Sequence, residues 1–473
     1  MSNELVGRRK EKEELLNLFQ SGRAEFITIY GRRRVGKTFL VNSLFSNDYV
    51  FKVTAVLNES TQGQLRNFAG ALSEYGFGAE PGLDDWLAAF DRLRTLLEKS
   101  NRKRKVIFFD EMPWLDTKGS RFIPALEHFW NGWASAQDDI MLIVCGSAAS
   151  WIAKKLFRNR GGLHNRITRR IYLQPFTLAE CRLYAQREGL PTDEISMLET
   201  YMTFGGIPYY LSLINKNHSL TQNVNRLCFT PGGELRDEYD NLYASLFSNA
   251  ARHVLVVEAL AKKKSGLTRE DIKRITKLPE GGGLSEALED LELSGFIRKY
   301  APFARKKKGM LYQLVDHFTL FYLTFVKGSS FDDPDYWMKR RGTQTFRTWR
   351  GYAFEQVCLS HINQIKNAIG VAGVITHVES WRSERSDPGV QIDLMINRND
   401  QVISLCEMKF SDTEFSFTKK QAQELRAKRN AFIDETGTKK AVHIALITPF
   451  GIKRDDYFDM VQSLVTAEDL LKE

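Results

Sequence analysis

In the first third of the chain, short apolar runs alternate with segments whose apolar positions recur every three or four residues. "FITIY" (26–30), "VIFF" (106–109) and "IMLIVC" (140–145) have the length and continuity of buried strands. Helical periodicity follows the first of them, and the second ends in acids as strands of an open α/β sheet do. That alternation predicts an α/β fold with a parallel sheet. Residues 176–240 are helical in pattern, and "TPGGELRDEYDN" (230–241) reads as a Gly-rich, then acidic, linker. Beyond it the spacing predicts a helix in "ARHVLVVEALAKKKSG", a second capped by Thr268, and a third stopped by Gly295. Two strands around a basic tip, Arg305 to Lys308, complete a winged helix–turn–helix pattern. "YQLVDHFTLFYLTFV" is aromatic core at helical spacing, and "KGSSFDDPDYWMKRRG" reads as a loop or hinge. From Gly351 a helix gives way to strands, among them "QIDLMI" and "VISLCEMKF" joined through "NRNDQ". The expected boundaries are 1–175, 176–240, 241–316, 317–350 as a connector, and 351–473.

At 473 residues the chain exceeds what one core serves. Lys and Arg exceed Asp and Glu by 67 − 58 = 9, which favours a polyanionic partner such as nucleic acid. The five cysteines are scattered and read as reduced core thiols. The charged N-terminus lacks an apolar leader, and no apolar run approaches the ~18 residues of a membrane span. A cytoplasmic protein is the expectation.

The loop after the first strand, "GRRRVGKT", matches G-x-x-x-x-G-K-[ST] at Gly31, Gly36, Lys37 and Thr38. Such glycines let backbone N–H groups turn toward phosphates at a helix N-terminus. Lys37 is expected to reach the β- and γ-phosphates and Thr38 to bind Mg²⁺. Arg34, Val35 and Phe39 of the same loop and helix start join the ATP-contacting set. Asp110 and Glu111 end the second strand; Asp110 suits Mg²⁺, and Glu111 suits polarising the attacking water. Ser147 ends the third strand where a hydroxyl can contact the γ-phosphate. Arg166 and Arg169 of an arginine-dense stretch are candidate fingers, acting across a nucleotide-dependent homo-oligomer.

"ELVGRR", "YGRRRVGKT", "FFDE", "GSAAS", "LQPFTLAE" and "FGGIPYYL" occur in the order found in archaeal-type ATPases of the STAND branch of AAA+ P-loop proteins, which residues 1–215 resemble. The resemblance implies a P-loop core with a helical lid. It also implies that Val6, Gly7 and Arg8 lie near the adenine and that Gly206 and Pro208 belong to a nucleotide-sensing lid motif. From the residues alone, "GGIP" says that a helix ends at Gly205–Gly206 and restarts no earlier than Pro208.

The third helix of the winged pattern carries Glu286, Glu289, Asp290 and Glu292 and no Lys or Arg. So acidic a helix suits the DNA major groove poorly, which leaves a packing module whose basic tip can grip phosphates.

In the last third, Asp393 sits in one strand, and Glu407 and Lys409 share a face of the next. Side-by-side carboxylates repel unless a cation intervenes, and a hard divalent ion suits oxygen ligands. Asp393 and Glu407 are the candidate Mg²⁺ ligands, and Lys409 would position water or neutralise a scissile phosphate. The set D-(x)n-E-x-K resembles PD-(D/E)xK nucleases of the restriction-endonuclease-like fold, in which the first helix also supplies a glutamate, here Glu355. Ile392 stands in the motif's proline position, and "TKKQAQEL" offers Lys420 and Gln421 without the tyrosine of exonuclease relatives. The resemblances imply an ATPase whose nuclease-like C-terminal domain cuts nucleic acid, DNA in the first instance, with ATP and Mg²⁺ as cofactors. The alternative is a nucleotide-dependent switch whose C-terminal domain binds protein or nucleic acid without cutting. Plain ion pairing of Lys409 with the acids is the bland reading of the trio.

Overall fold

A computed structural model describes residues 4–473 except 79–81, 159–160, 164, 248, 280–281, 301–302, 304–309, 330–332, 334, 384 and 386–389. The basic tip Arg305–Lys308 therefore lies outside the described residues. The chain divides into two compact units, Met1–Pro175 and Phe176–Glu473.

The first unit is built on five strands: β1 Glu25–Tyr30, β2 Tyr49–Thr54, β3 Lys105–Asp110, β4 Ile140–Gly146 and β5 Arg169–Tyr172. They pair in the order β2-β3-β4-β1-β5, every pair parallel. All seven residues of β4 are buried, as parallel strands covered on both faces require. One side is packed by an aromatic cluster that includes Phe51, Phe68, Trp86, Phe90, Phe109 and Phe122. Burying that much aromatic area holds the strand ends in place, and β1 and β3 deliver the loop at 31–36 and the acids at 110–111 to the same sheet edge.

The second unit opens with helices Leu178–Glu188, Glu194–Phe204, Pro208–Ser212, Leu220–Phe229 and Glu238–Leu246. Glu194–Phe204 ends at Gly205 with φ 68°, Gly206 follows at φ 67°, and Pro208 opens the next helix, as the "GGIP" spacing predicts. A Cβ at Gly206 would lie 2.3 Å from the Phe176 carbonyl oxygen, so only glycine fits. The expected linker at 230–241 differs in its second half. Tyr239, Leu242, Tyr243 and Leu246 fall at helical spacing and bury themselves, and the Tyr210 hydroxyl donates to buried Glu238 at 2.8 Å. Likewise the expected hinge contains helix Tyr336–Arg340, whose buried Trp337 stacks on Phe229 at 5.5 Å. In both places large aromatics outweigh a loop-like composition.

Helices Ala250–Ala261, Arg269–Thr276 and Gly282–Leu293 follow, with a small sheet of β6 Leu267–Thr268, β7 Ile297–Tyr300 and β8 Leu311–Leu314 in the order β6-β8-β7. Thr268 caps the second helix in a capping box with Asp271. The acidic third helix turns Asp290 inward, 3.2 Å from His253 Nε2.

The C-terminal part begins with helix Gln344–Ser360 and continues into β9 Thr376–Arg382, β10 Gln391–Arg398 and β11 Val402–Met408, an antiparallel meander. Helix Lys419–Thr436 then crosses to β12 Ala441–Ile447, which runs parallel to β11, and β13 Ser463–Val465 closes the edge. The β9–β10 register shifts by one residue between Ile392 and Met395, a bulge flanking Asp393. Neutral His361 ties the first helices of this unit to the last part of the chain. Its Nε2 accepts from Leu178 N at 2.9 Å, its Nδ1 donates to Val357 O at 2.7 Å, and burial pushes its pKa down to about 4. Among the described residues no helix is long and apolar enough to cross a membrane.

Candidate functional site

The loop after β1 turns on Gly31 (φ 143°) and Gly36 (φ 91°), and a Cβ on Gly31 would sit 2.3 Å from the Leu173 carbonyl oxygen. Arg34 also takes positive φ, 70°, a cost that non-glycine residues bear where a loop is over-determined by its surroundings. Helix Lys37–Phe45 starts directly after Gly36. The buried Lys37 ammonium fills the loop, donating to Gly31 O at 3.1 Å, Arg32 O at 2.9 Å and Ser147 Oγ at 3.1 Å. Burial pushes its pKa down, against the opposing pull of Glu111 and Asp110.

Thr38 Oγ1 donates to Asp110 Oδ1 at 2.9 Å, so the hydroxyl and carboxylate expected to share a Mg²⁺ ion already converge. Glu111 sits in left-handed backbone, φ 51°, and accepts from Ser147 Oγ at 2.6 Å and from Ser147 N at 3.0 Å. The buried Cys145 thiol donates to Asp110 Oδ1 at 2.8 Å, a contact not expected from the sequence. Arg8, also at positive φ, donates from Nη2 to Val35 O at 3.1 Å, so the Val6–Gly7–Arg8 segment lies against the loop. Phe39 is 44% exposed at the helix start. Arg166 is exposed, and Arg169 opens β5 in an ion pair with Glu14. Pro208 belongs to the second unit. The donor set fits a Mg–nucleotide: a glycine cradle, a lysine already serving as donor to loop oxygens, and a hydroxyl beside a carboxylate.

The second constellation draws on separate elements. Leu394 pairs with Cys406 across β10 and β11, which carried one residue further sets Asp393 opposite Glu407. Glu407 Oε1 accepts from Lys409 Nζ at 2.8 Å, and its Oε2 from Lys428 Nζ at 3.0 Å. Burial alone would raise the Glu407 pKa, but the two lysines outweigh it and hold the carboxyl below its ordinary range. Asp393 accepts from Gln391 Nε2 at 2.6 Å, yet burial raises its pKa and Glu407 adds to the rise. Glu355, from helix Gln344–Ser360, is pushed up to about 8 by burial and then by Asp393. Glu355 and Asp393 line an open cavity of about 540 Å³ with Gln391, Glu424, Lys428 and Lys264.

Glu355, Asp393, Glu407 and Lys409 thus lie close enough together for the other three charges to act on Glu355. Other residues of the cluster were missed. Lys428 lies on helix Lys419–Thr436, seven residues beyond Gln421 on one helical face, a signal available in principle. Of the two residues singled out on that helix, Lys420 is largely exposed and Gln421 spends its side chain capping Thr418. Lys264 and Arg298 come from the three-helix segment, and their charges face Glu355 and Asp393 respectively. No local pattern signals that approach. Among the described residues, no three His, Cys, Asp or Glu side chains cluster as a ready metal site. The oxygen-only donors, and the repulsion of Glu355 by Asp393 and of Asp393 by Glu407, nonetheless fit a hard cation.

Residues 5–214 match the model of an ATPase domain predominantly from Archaea. An uncharacterized protein of Methanocaldococcus jannaschii, MJECL04, is 24% identical over 437 residues, covering 89% of this chain and 91% of that protein. Among solved structures, a Walker-type ATPase of Pyrococcus abyssi matches 67% of this chain and 96% of its own at 16% identity and TM-score 0.49. The ORC2 protein of Aeropyrum pernix matches 68% of this chain and 93% of its own at 14% identity and TM-score 0.42. The parallel sheet, the glycine loop and the family match agree: the chain carries an archaeal-type ATPase domain and is an ATPase.

Proposed function

With that ATPase domain as premise, we propose that the second unit is its effector, binding nucleic acid and cutting it with Mg²⁺. One observation carries the reading. Glu355 and Asp393 share the wall of one cavity, Glu407 and Lys409 pair with each other close enough for their charges to act on Glu355, and two of the carboxyls are strained by burial and repulsion. The helix, three-stranded meander, crossover helix and parallel strand support a restriction-endonuclease-like domain. The three helices with their hairpin support a winged helix, here packed beside the acids.

Asp393 and Glu407 would hold the ion, which when bound supplies Lewis acidity and an acidified water. Lys409 would neutralise the phosphate, and Lys428 holds Glu407 ionised and oriented. In the first unit Lys37 would hold the β- and γ-phosphates, Thr38 and Asp110 the Mg²⁺, and Glu111 the water, with Ser147 orienting Glu111. Val6, Gly7, Arg8, Arg34, Val35 and Phe39 complete the nucleotide pocket. Arg166 or Arg169 would act as the finger across a nucleotide-dependent homo-oligomer, and Pro208 in the sensing of nucleotide.

A second reading has its own support. Both Glu407 oxygens are taken by lysines, which is how a switch domain that binds without cutting would neutralise its acids. The test is cleavage of plasmid and single-stranded DNA with Mg²⁺ or Mn²⁺, comparing wild type with Glu407→Ala and Lys409→Ala. Cleavage lost in both variants is expected. Equal activity in all three proteins, or none in any, removes this cutting centre and favours the switch.

A further inference from the structure

Two cavities of the second unit meet at one residue. The first holds Glu355 and Asp393, and Lys264 and Ser265 form part of its wall. The second, about 590 Å³, is bordered by helices Ala250–Ala261 and Gln344–Ser360 and by the segment from His317 to Val326. Leu320, Leu323, Trp349 and Tyr352 make its floor apolar, and Lys262, Lys264 and Lys327 make its rim cationic. Lys264 belongs to both cavities. Its ammonium lies 4.9 Å from the Tyr352 ring centroid and donates to Thr348 O at 3.1 Å, while its charge faces Glu355. Lys327 pairs with Glu258 on the opposite wall, so Lys262 and Lys264 carry the net positive charge of the groove.

An apolar floor beneath lysines complements a chain that offers flat apolar faces and regularly spaced anions. A single nucleic-acid strand offers both, whereas a duplex hides its base faces in the stack.

We infer that this groove is the path by which single-stranded nucleic acid reaches the carboxylates, with Lys264 holding a backbone phosphate where the cavities join. The inference rests on the nucleic-acid reading of the second unit but not on cleavage. It explains why a lysine from the three-helix segment stands at the edge of a site built by the C-terminal sheet: the strand is gripped by one module and presented to the other. Lys264 is thereby a positioning residue for substrate and takes no part in bond breaking.

The test is fluorescence anisotropy of the full chain in EDTA, with a labelled single-stranded oligonucleotide and its matched duplex. The single strand is expected to bind on the order of ten-fold tighter than the duplex. Lys264→Gln is expected to weaken strand binding several-fold and to reduce the slope of log affinity against log salt by about 0.7, the signature of one lost phosphate contact. Lys264→Arg should restore binding, and Lys103→Glu, an exposed lysine of the other unit, should leave it unchanged. Thermal melting of each variant separates lost binding from lost folding. Equal affinity for strand and duplex, or a Lys264→Gln protein that binds like wild type with an unchanged salt slope, overturns the inference. So does capture of an acidic helical peptide in place of either oligonucleotide. Strand binding that depends on Lys264 without any Mn²⁺-dependent cutting supports the groove and ends the nuclease reading, so the two fail separately.

Discussion

The two charged constellations of this protein solve opposite problems. Around Lys37 nearly every polar group is satisfied by a neighbour a few residues away or at the adjoining strand end: carbonyls of the loop, Ser147, the Thr38–Asp110 pair. Around Glu355 and Asp393 the charges arrive from distant parts of the chain, and two carboxyls are left against their ordinary ionisation, Glu355 by burial and by Asp393, and Asp393 by burial and by Glu407. The first is a preformed cradle whose internal contacts mimic those a nucleotide replaces. The second is a frustrated cluster, with carboxyls raised by burial and by neighbouring carboxylates. A loop wrapped on a helix N-terminus can satisfy itself locally; a sheet-edge site cannot, because alternation gives each strand only every second residue.

Breaking the cradle should have the largest effect. Lys37→Ala removes the one ammonium in the loop, and ATP turnover should fall by on the order of 10²–10³-fold, measured as phosphate release. Glu111→Gln should preserve nucleotide affinity in a binding titration while turnover drops by about 10²-fold, the scale of a lost general base. A Glu111→Gln protein turning over at the wild-type rate removes the role given to that residue.

The frustrated cluster is sharpened by pH. Glu355 has an ordinary carboxyl value of 4.5 raised to about 8, so between those limits the folded state keeps a proton that the unfolded state has released. Stability should therefore fall as pH rises through that window and level off above it. Glu355→Gln should flatten the profile, visible as a melting temperature that no longer drops by a few degrees between pH 5 and 8. Added Mg²⁺ should raise the wild-type melting temperature more at pH 8 than at pH 6, since the ion and the proton relieve the same repulsion. The smallest effect is expected at the basic tip: Lys306→Glu should lower DNA affinity a few-fold and the salt slope by about one.

The sequence by itself determined a good deal. Strand–loop–helix order with G-x-x-x-x-G-K-[ST] placed Gly31, Gly36, Lys37 and Thr38, and the acid after an apolar run placed Asp110 and Glu111, because those sites are built from contiguous chain. The period-two pattern put Asp393, Glu407 and Lys409 within reach of one another, since a hairpin turns sequence spacing into cross-strand distance. Only the tertiary structure decided the rest. The bulge beside Asp393 depends on how β9 packs. The capture of both Glu407 oxygens needs a lysine from the crossover helix. The approach of Lys264 brings together residues 91 positions apart from Glu355, with nothing in either segment to announce it. Even the 230–241 stretch, polar enough to read as a linker, becomes helical in its second half because buried tyrosines reward it. Local sequence encodes the chemistry a segment offers; which charges end up facing each other is settled by how whole elements share their apolar faces, and that is a property of the packed chain.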